Sequence, residues 1–209
     1  MLTTYMGVVV PSTILIPVGA GVQRYRHLKT ARVIFIYLLV GGLFNIWAIL
    51  LARKHINNLP IFHLYTIFEF LTITLFYRKI LPGRTIHRIL TILLFLFPAW
   101  AILNALFFQN IHMNNSYART PEALLIIGMS ITWLLTSEEH PNELGWTGNA
   151  ANWINTGLML YFSGSLFLFA FSNFIISHRL MNTYIWNIHA TLVLIMYLLF
   201  TAGFLKCSR

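Results

Sequence analysis

Long apolar stretches separated by short polar breaks run the whole length of the chain, near residues 2–22, 31–52, 59–80, 86–108, 121–137, 150–176 and 182–205. A helix rises about 1.5 Å per residue, so roughly 20 apolar residues cover a hydrocarbon core of about 30 Å. The pattern predicts seven transmembrane helices. A closed β-barrel also satisfies every backbone group in lipid, but its strands alternate apolar and polar residues. Runs such as Ile89–Phe97 and Gly164–Phe171 do not alternate. The expected fold is therefore all-α, a polytopic bundle forming one domain over residues 1–209. The longest breaks, around Gln109–Thr120 and Ser137–Asn149, are too short for a second domain, and no internal repeat is visible.

Prolines and small residues refine this layout. Pro60 and Pro121 suit the first turns of the third and fifth helices, where a missing N–H costs little. Pro82-Gly83 ends the third helix, while Pro98 and Pro11 fall inside the fourth and first and are expected to bend them. The sixth stretch carries Gly157, Tyr161, Gly164, Ser165 and Ser172, and the second carries Gly41 and Gly42. Small side chains let helix backbones approach closely in lipid, so these positions read as packing surfaces.

Composition agrees with the pattern: 58% of residues are apolar and 9% charged, against about 25% charged in soluble domains. A net charge of +9 raises nucleic acid as a partner, but the distribution argues otherwise. Of the 14 Lys and Arg residues, Arg53, Lys54, Arg119 and Arg179 fall on one side of the expected membrane and all others on the opposite side. Positive charge stays cytoplasmic, which places the N-terminus outside and the C-terminus in the cytoplasm. The basic side then faces membrane lipids with anionic head groups. The single cysteine, Cys207, excludes an internal disulfide and a Cys-based zinc site; it reads as a reduced thiol, with palmitoylation as the alternative. The first stretch lacks a basic n-region and carries Pro11 and Pro17, so it reads as a retained helix rather than a signal peptide.

The chemistry centres on Glu69, the acidic residue in the middle of a span. At helical spacing Tyr65, Thr66, Glu69, Thr72 and Ile73 share one face, which must point into the bundle. An ionised carboxylate at mid-bilayer is costly without a partner. Glu69 therefore either holds a proton or meets a donor from another helix. No Lys or Arg falls at its depth in the seven stretches, which leaves His, Asn, Tyr and Trp as expected partners. His63, His189, Asn45 and Asn173 lie toward the outer ends of their helices, with Asn187, Trp186 and Trp47 nearby. The expected ligand-binding set is Glu69, His63, Tyr65, Asn45, His189, Asn187, Trp186 and Asn173, lining an outer pocket that narrows toward Glu69. Polar glue between helices is the alternative for each. His63 and Glu69, six residues apart, are turned about 120° from each other on an ideal helix, which opposes a tight dyad.

Other chemistries find less support. His63 and His189 from two helices offer a haem ligand pair, but one histidine per span is a thin signal. No metal site is expected: membrane zinc hydrolases combine several histidines with an aspartate, and the chain has no Asp. The acidic loop Ser137–Glu143 reads as a solvated segment, with a metal or a basic partner as the alternative, and Asn114-Asn115-Ser116 matches a glycosylation acceptor. No nucleophile and base stand at useful spacing, so no enzyme is expected.

The outward N-terminus and seven helices resemble rhodopsin-type photoreceptors, yet the seventh helix has no lysine before Lys206. Seven-helix sugar transporters of the PQ-loop type share the topology, yet no Pro-Gln pair occurs. Asn57-Asn58-Leu59-Pro60 with His63-Leu64-Tyr65 and Glu69-Phe70, and Trp153-Ile154-Asn155-Thr156-Gly157 with Tyr161-Phe162-Ser163-Gly164-Ser165, resemble uncharacterised multi-pass proteins of Bacteroidetes-type bacteria. Related seven-helix regions serve as membrane input modules of sensor kinases. That resemblance implies a bacterial inner-membrane receptor or sensor, binding a small or lipidic molecule and signalling through a separate protein partner in the membrane or at the cytoplasmic face. A proton-coupled transporter and a non-catalytic accessory subunit of a larger complex are the alternatives.

Overall fold

The computed structural model describes residues 4–139, 145–176 and 179–207. The acidic loop expected over Ser137–Glu143 lies largely outside them, as does Arg209. Among the described residues the chain is helical, with seven helices long and apolar enough to cross a membrane. They are α1 (Tyr5–Gln23), α2 (Arg32–Arg53), α3 (Leu59–Ile80), α4 (Arg84–Leu103), α5 (Ser116–Glu139), α6 (Ala150–Ile176) and α7 (Arg179–Leu205). A π-helical turn, Asn104–Phe108, extends α4, and a short turn, Gly145–Gly148, precedes α6.

Burial is inverted relative to a water-soluble domain. Large apolar side chains such as Phe95, Phe107 and Leu15 are exposed, while Glu69, Glu122, Thr66, Asn104, Asn155 and Ser165 are buried. An apolar outer surface with a polar interior suits a bilayer, where lipid tails solvate apolar side chains and polar groups must find partners inside. In their most apolar windows α3 is 50% buried and α6 44%, against 22–28% for the other five. These two helices are the interior pair, and polar residues concentrate on them.

Proline explains two departures from the sequence pattern. Helix α1 is interrupted at Thr13–Ile14, four residues before Pro17, whose missing N–H leaves the Thr13 carbonyl without its helical donor. The Ile16 N–H donates to that carbonyl instead, at 3.0 Å. The break thus belongs to Pro17 as well as to Pro11. Helix α5 starts at Ser116, so Pro121 lies inside it rather than in its first turn. That earlier start carries Arg119 into the bundle. Pro60 does sit in the first turn of α3, and Gly83, at φ 98°, turns the chain from α3 into α4.

Close approach holds the interior together. Helix α6 packs most extensively on α7 and next on α5. A Cβ on Gly164 would stand 2.7 Å from Leu192 Cδ1, and one on Gly157 would stand 3.1 Å from Phe200 Cε1, so a side chain at either position would require its α7 neighbour to shift. Phe70 stacks on Phe97 with centroids 4.0 Å apart, fixing α4 against α3, and Tyr37 meets Phe200 edge-on across α2 and α7.

A candidate ligand pocket over a buried ion pair

Glu69 is 1% exposed, and a guanidinium is its partner. Arg119 Nη1 lies 3.0 Å from Glu69 Oε2, close but off the N–H direction, and 4.0 Å from Glu122 Oε2. This corrects the expectation that no basic residue reaches that depth. An apolar window starting at Pro121 leaves Arg119 in the loop, whereas the helix begins at Ser116. Tyrosine, also an expected partner, is present too: the Tyr37 hydroxyl donates to Glu69 Oε1 at 2.7 Å. The Tyr65 hydroxyl lies 3.1 Å from the same oxygen and 3.2 Å from the Tyr37 oxygen; having one proton, it donates to one of them at a time. Arg119 also donates from Nη2 to the Tyr161 hydroxyl at 3.3 Å and stands over the Phe169 ring at 4.3 Å. The cluster joins α2, α3, α5 and α6. Glu122, wholly buried on α5 one turn below Arg119, has no hydrogen-bond donor on either carboxyl oxygen.

Above this cluster, toward the end where α3 begins, lies a cavity of about 370 Å³. Leu59, Phe62, Phe169 and Trp186 give it apolar and aromatic walls. Its polar lining is Tyr65, Asn114, Asn115, Arg119, Tyr161, Ser172 and His189. Most of these bring hydrogen-bond donors. The buried Asn114 Nδ2 has no partner within the protein. Apolar walls with a few convergent polar groups are the usual make-up of a small-molecule site. A smaller cavity of about 160 Å³ lies on the α1–α2–α7 side and shares Phe62, Tyr65 and Tyr161 with the first.

The eight expected site residues separate into three groups. Tyr65, Trp186 and His189 line the larger cavity, His189 being edge-on to Trp186 at 5.3 Å and within hydrogen-bond distance of Ser165 Oγ at 3.0 Å. Glu69 does not line it but lies beneath, behind Arg119. His63 and Asn173 fasten the segment between α4 and α5: His63 Nε2 meets the Met113 carbonyl at 3.1 Å, and Asn173 Nδ2 donates to the Asn114 carbonyl at 3.0 Å. Asn45 lines the smaller cavity, and Asn187 Nδ2 donates to the Thr183 carbonyl at 2.6 Å. Trp47 is exposed on the outside of α2. His63 is not among the residues that line the cavity beside His189. The glycosylation pattern is closed off, with Asn114 Nδ2 and Ser116 buried and the Ser116 hydroxyl accepting from Gln109 Nε2 at 2.8 Å.

A second polar cluster occupies the other half of α3, α5 and α6. Asn155 Oδ1 accepts from the Tyr77 hydroxyl at 2.8 Å and the Ser130 hydroxyl at 2.9 Å. One turn further on, Trp133 Nε1 donates to Asn152 Oδ1 at 3.0 Å. A lone Asn, Ser or Tyr in an apolar run gives no sign of which partner it meets, so the sequence does not assign these contacts. No family model, no curated protein and no solved structure matches the chain. A functional reading therefore rests on the chemistry of these residues.

Proposed function

We infer that the protein is a membrane receptor or sensor that binds a small or lipidic molecule in the cavity over the Glu69–Arg119 pair. In this reading the N-terminal face is outside, the basic face is cytoplasmic, and the membrane is a bacterial inner membrane. The observation that carries it is a roomy aromatic cavity into which a few polar residues converge, Arg119, His189 and Asn114 among them. A ligand with an apolar body and acceptor oxygens suits those groups. Arg119 touches the cavity on one side and α3 and α6 on the other, so a ligand that pulls on the guanidinium alters contacts among three helices. A separate partner would read that change at the cytoplasmic loops.

The test is purification of the full chain from native membranes in mild detergent, with mass spectrometry of bound small molecules. The expected result is a retained molecule, near one per chain, that is lost from Asn114→Ala and His189→Ala. Asn114→Ala is the sharper variant, because the Asn114 amide nitrogen makes no hydrogen bond within the protein. A stoichiometric protein partner with no bound molecule would overturn the reading and favour an accessory subunit.

One observation favours a transporter as the second reading. Two carboxylates, Glu69 and Glu122, face one guanidinium, so the cluster either carries a net negative charge or holds one proton. Proton-coupled transporters use intramembrane carboxylates in this way. Uptake into vesicles that depends on a proton gradient and is abolished by Glu122→Gln would establish it.

A further inference from the structure

On the basic face the α1–α2 connection, the ends of α3 and α7, the start of α6 and Trp133 of α5 surround a further cavity of about 280 Å³. Its lining includes His27, Lys29, Asn149, Trp133, Lys206 and Cys207. We propose that this cavity binds a phosphate group, taken from an anionic phospholipid head group or from free phosphate, between Lys29 and Lys206.

Three observations support the site. Both lysines are exposed, and neither forms an ion pair with an acid among the described residues, so their charge is available to a ligand. Lys29 holds a left-handed backbone at φ 40°, a conformation that costs a non-glycine residue energy and persists where the surroundings impose it. Here Leu28 and Ala31, both buried, pin the turn on either side, so the core sets the place from which Lys29 is presented. Depth is the third: the ends of α3 and α7 meet the start of α6 here, where spans of this length reach the head-group layer. Two further indole rings, Trp146 and Trp153, pack 5.5 Å apart at the start of α6, and such rings favour the membrane interface. A head-group phosphate held here would fasten the α1–α2 connection to the C-terminal end of α7.

The test uses the full chain in neutral detergent, titrated separately with phosphatidylglycerol, phosphatidylcholine and inorganic phosphate and read by native mass spectrometry and binding calorimetry. Phosphatidylglycerol is expected to bind as one tight equivalent. Lys29→Gln/Lys206→Gln is expected to weaken that binding on the order of tenfold. The charge-matched control Arg84→Gln/Arg88→Gln, on the same face but outside the cavity, is expected to change it by less than about twofold. Both lysines are exposed, so their loss leaves the fold intact, which gel filtration checks. Inorganic phosphate binding that is sensitive to the lysine pair, without lipid selectivity, would support the phosphate site and identify free phosphate as its source. Equal loss in both double variants would overturn the proposal in favour of diffuse surface charge. So would equal binding of the two lipids with no phosphate binding, or no binding at all.

Discussion

The two halves of the bundle use the same helices, α3, α5 and α6, to opposite ends. Toward the start of α3 they bury a guanidinium between two carboxylates beneath a cavity of about 370 Å³. Toward its end they bury Tyr77, Ser130 and Asn155, neutral groups whose two hydroxyls both donate to the Asn155 amide oxygen, while Asn155 Nδ2 has no partner among the described residues. Neutral hydrogen bonds are enough to hold helices together in lipid. Buried charge is a poor way to gain stability, because desolvation can exceed the attraction. The charged half therefore calls for an explanation that packing does not supply, and a cavity lies directly against it.

The largest expected effect tests that contrast. Arg119→Leu would leave Glu69 and Glu122 facing each other unpaired, and breaking a buried pair by removing one partner costs about 3–5 kcal/mol. The side chain is only 14% exposed, so screening by water gives little relief. Thermal unfolding in detergent should show a steep fall for the single variant. Adding Glu69→Gln and Glu122→Gln should restore most of the loss while leaving ligand binding abolished. If the single variant is as stable as wild type, the charges are hydrated and the comparison fails.

Much of the fold was legible from hydrophobic length alone, because a bilayer of fixed thickness demands helices of a fixed length. Glu69 was legible for the same reason, since a carboxylate in an apolar run stands out. Its partner was not. Arg119 lies at the polar margin of an apolar window, and a window cannot tell a loop residue from the first turn of a helix that begins earlier, at Ser116. Glu122 was hidden likewise, beside Pro121. The histidines and asparagines were found as residue types, but their assignments depended on facing directions. His63 and Asn173 fasten a loop while His189 lines the cavity, and no spacing rule separates those outcomes.

A matched pair of smaller changes sharpens the contrast. Tyr37→Phe removes a hydroxyl donated to a carboxylate at 2.7 Å, and hydrogen bonds to charged groups are worth about 1.5–3 kcal/mol. Tyr77→Phe removes a bond of 2.8 Å to the neutral Asn155 amide oxygen, and such bonds between membrane helices average about 0.6 kcal/mol. Both variants keep the ring, so packing is preserved. Apparent unfolding midpoints in one detergent should rank wild type above Tyr77→Phe and Tyr77→Phe above Tyr37→Phe. The reverse order would mean that the neutral cluster, not the charged one, is the more stabilising.

The smallest effect concerns how closed the neutral half is at its mouth. Cys207 is buried, its thiol donates weakly to the Gly203 carbonyl at 3.7 Å, and burial raises its pKa above the ordinary thiol value while Arg24 nearby pulls it the other way. A thiol with a raised pKa is less often the reactive thiolate, and a buried one is harder to reach. Maleimide labelling of the folded protein at neutral pH should therefore be at least about tenfold slower than in denaturing detergent, and it should accelerate as pH rises past the usual thiol value of about 8.5. The sign for stability follows: the unfolded thiol ionises first, so any contribution from Cys207 fades as pH climbs from the unfolded pKa toward the folded one. The same burial argues against acylation of this cysteine in the folded state. Labelling as fast as in the denatured chain would show that the end of α7 opens readily. The basic end would then be no better sealed than the end that holds the cavity of about 370 Å³.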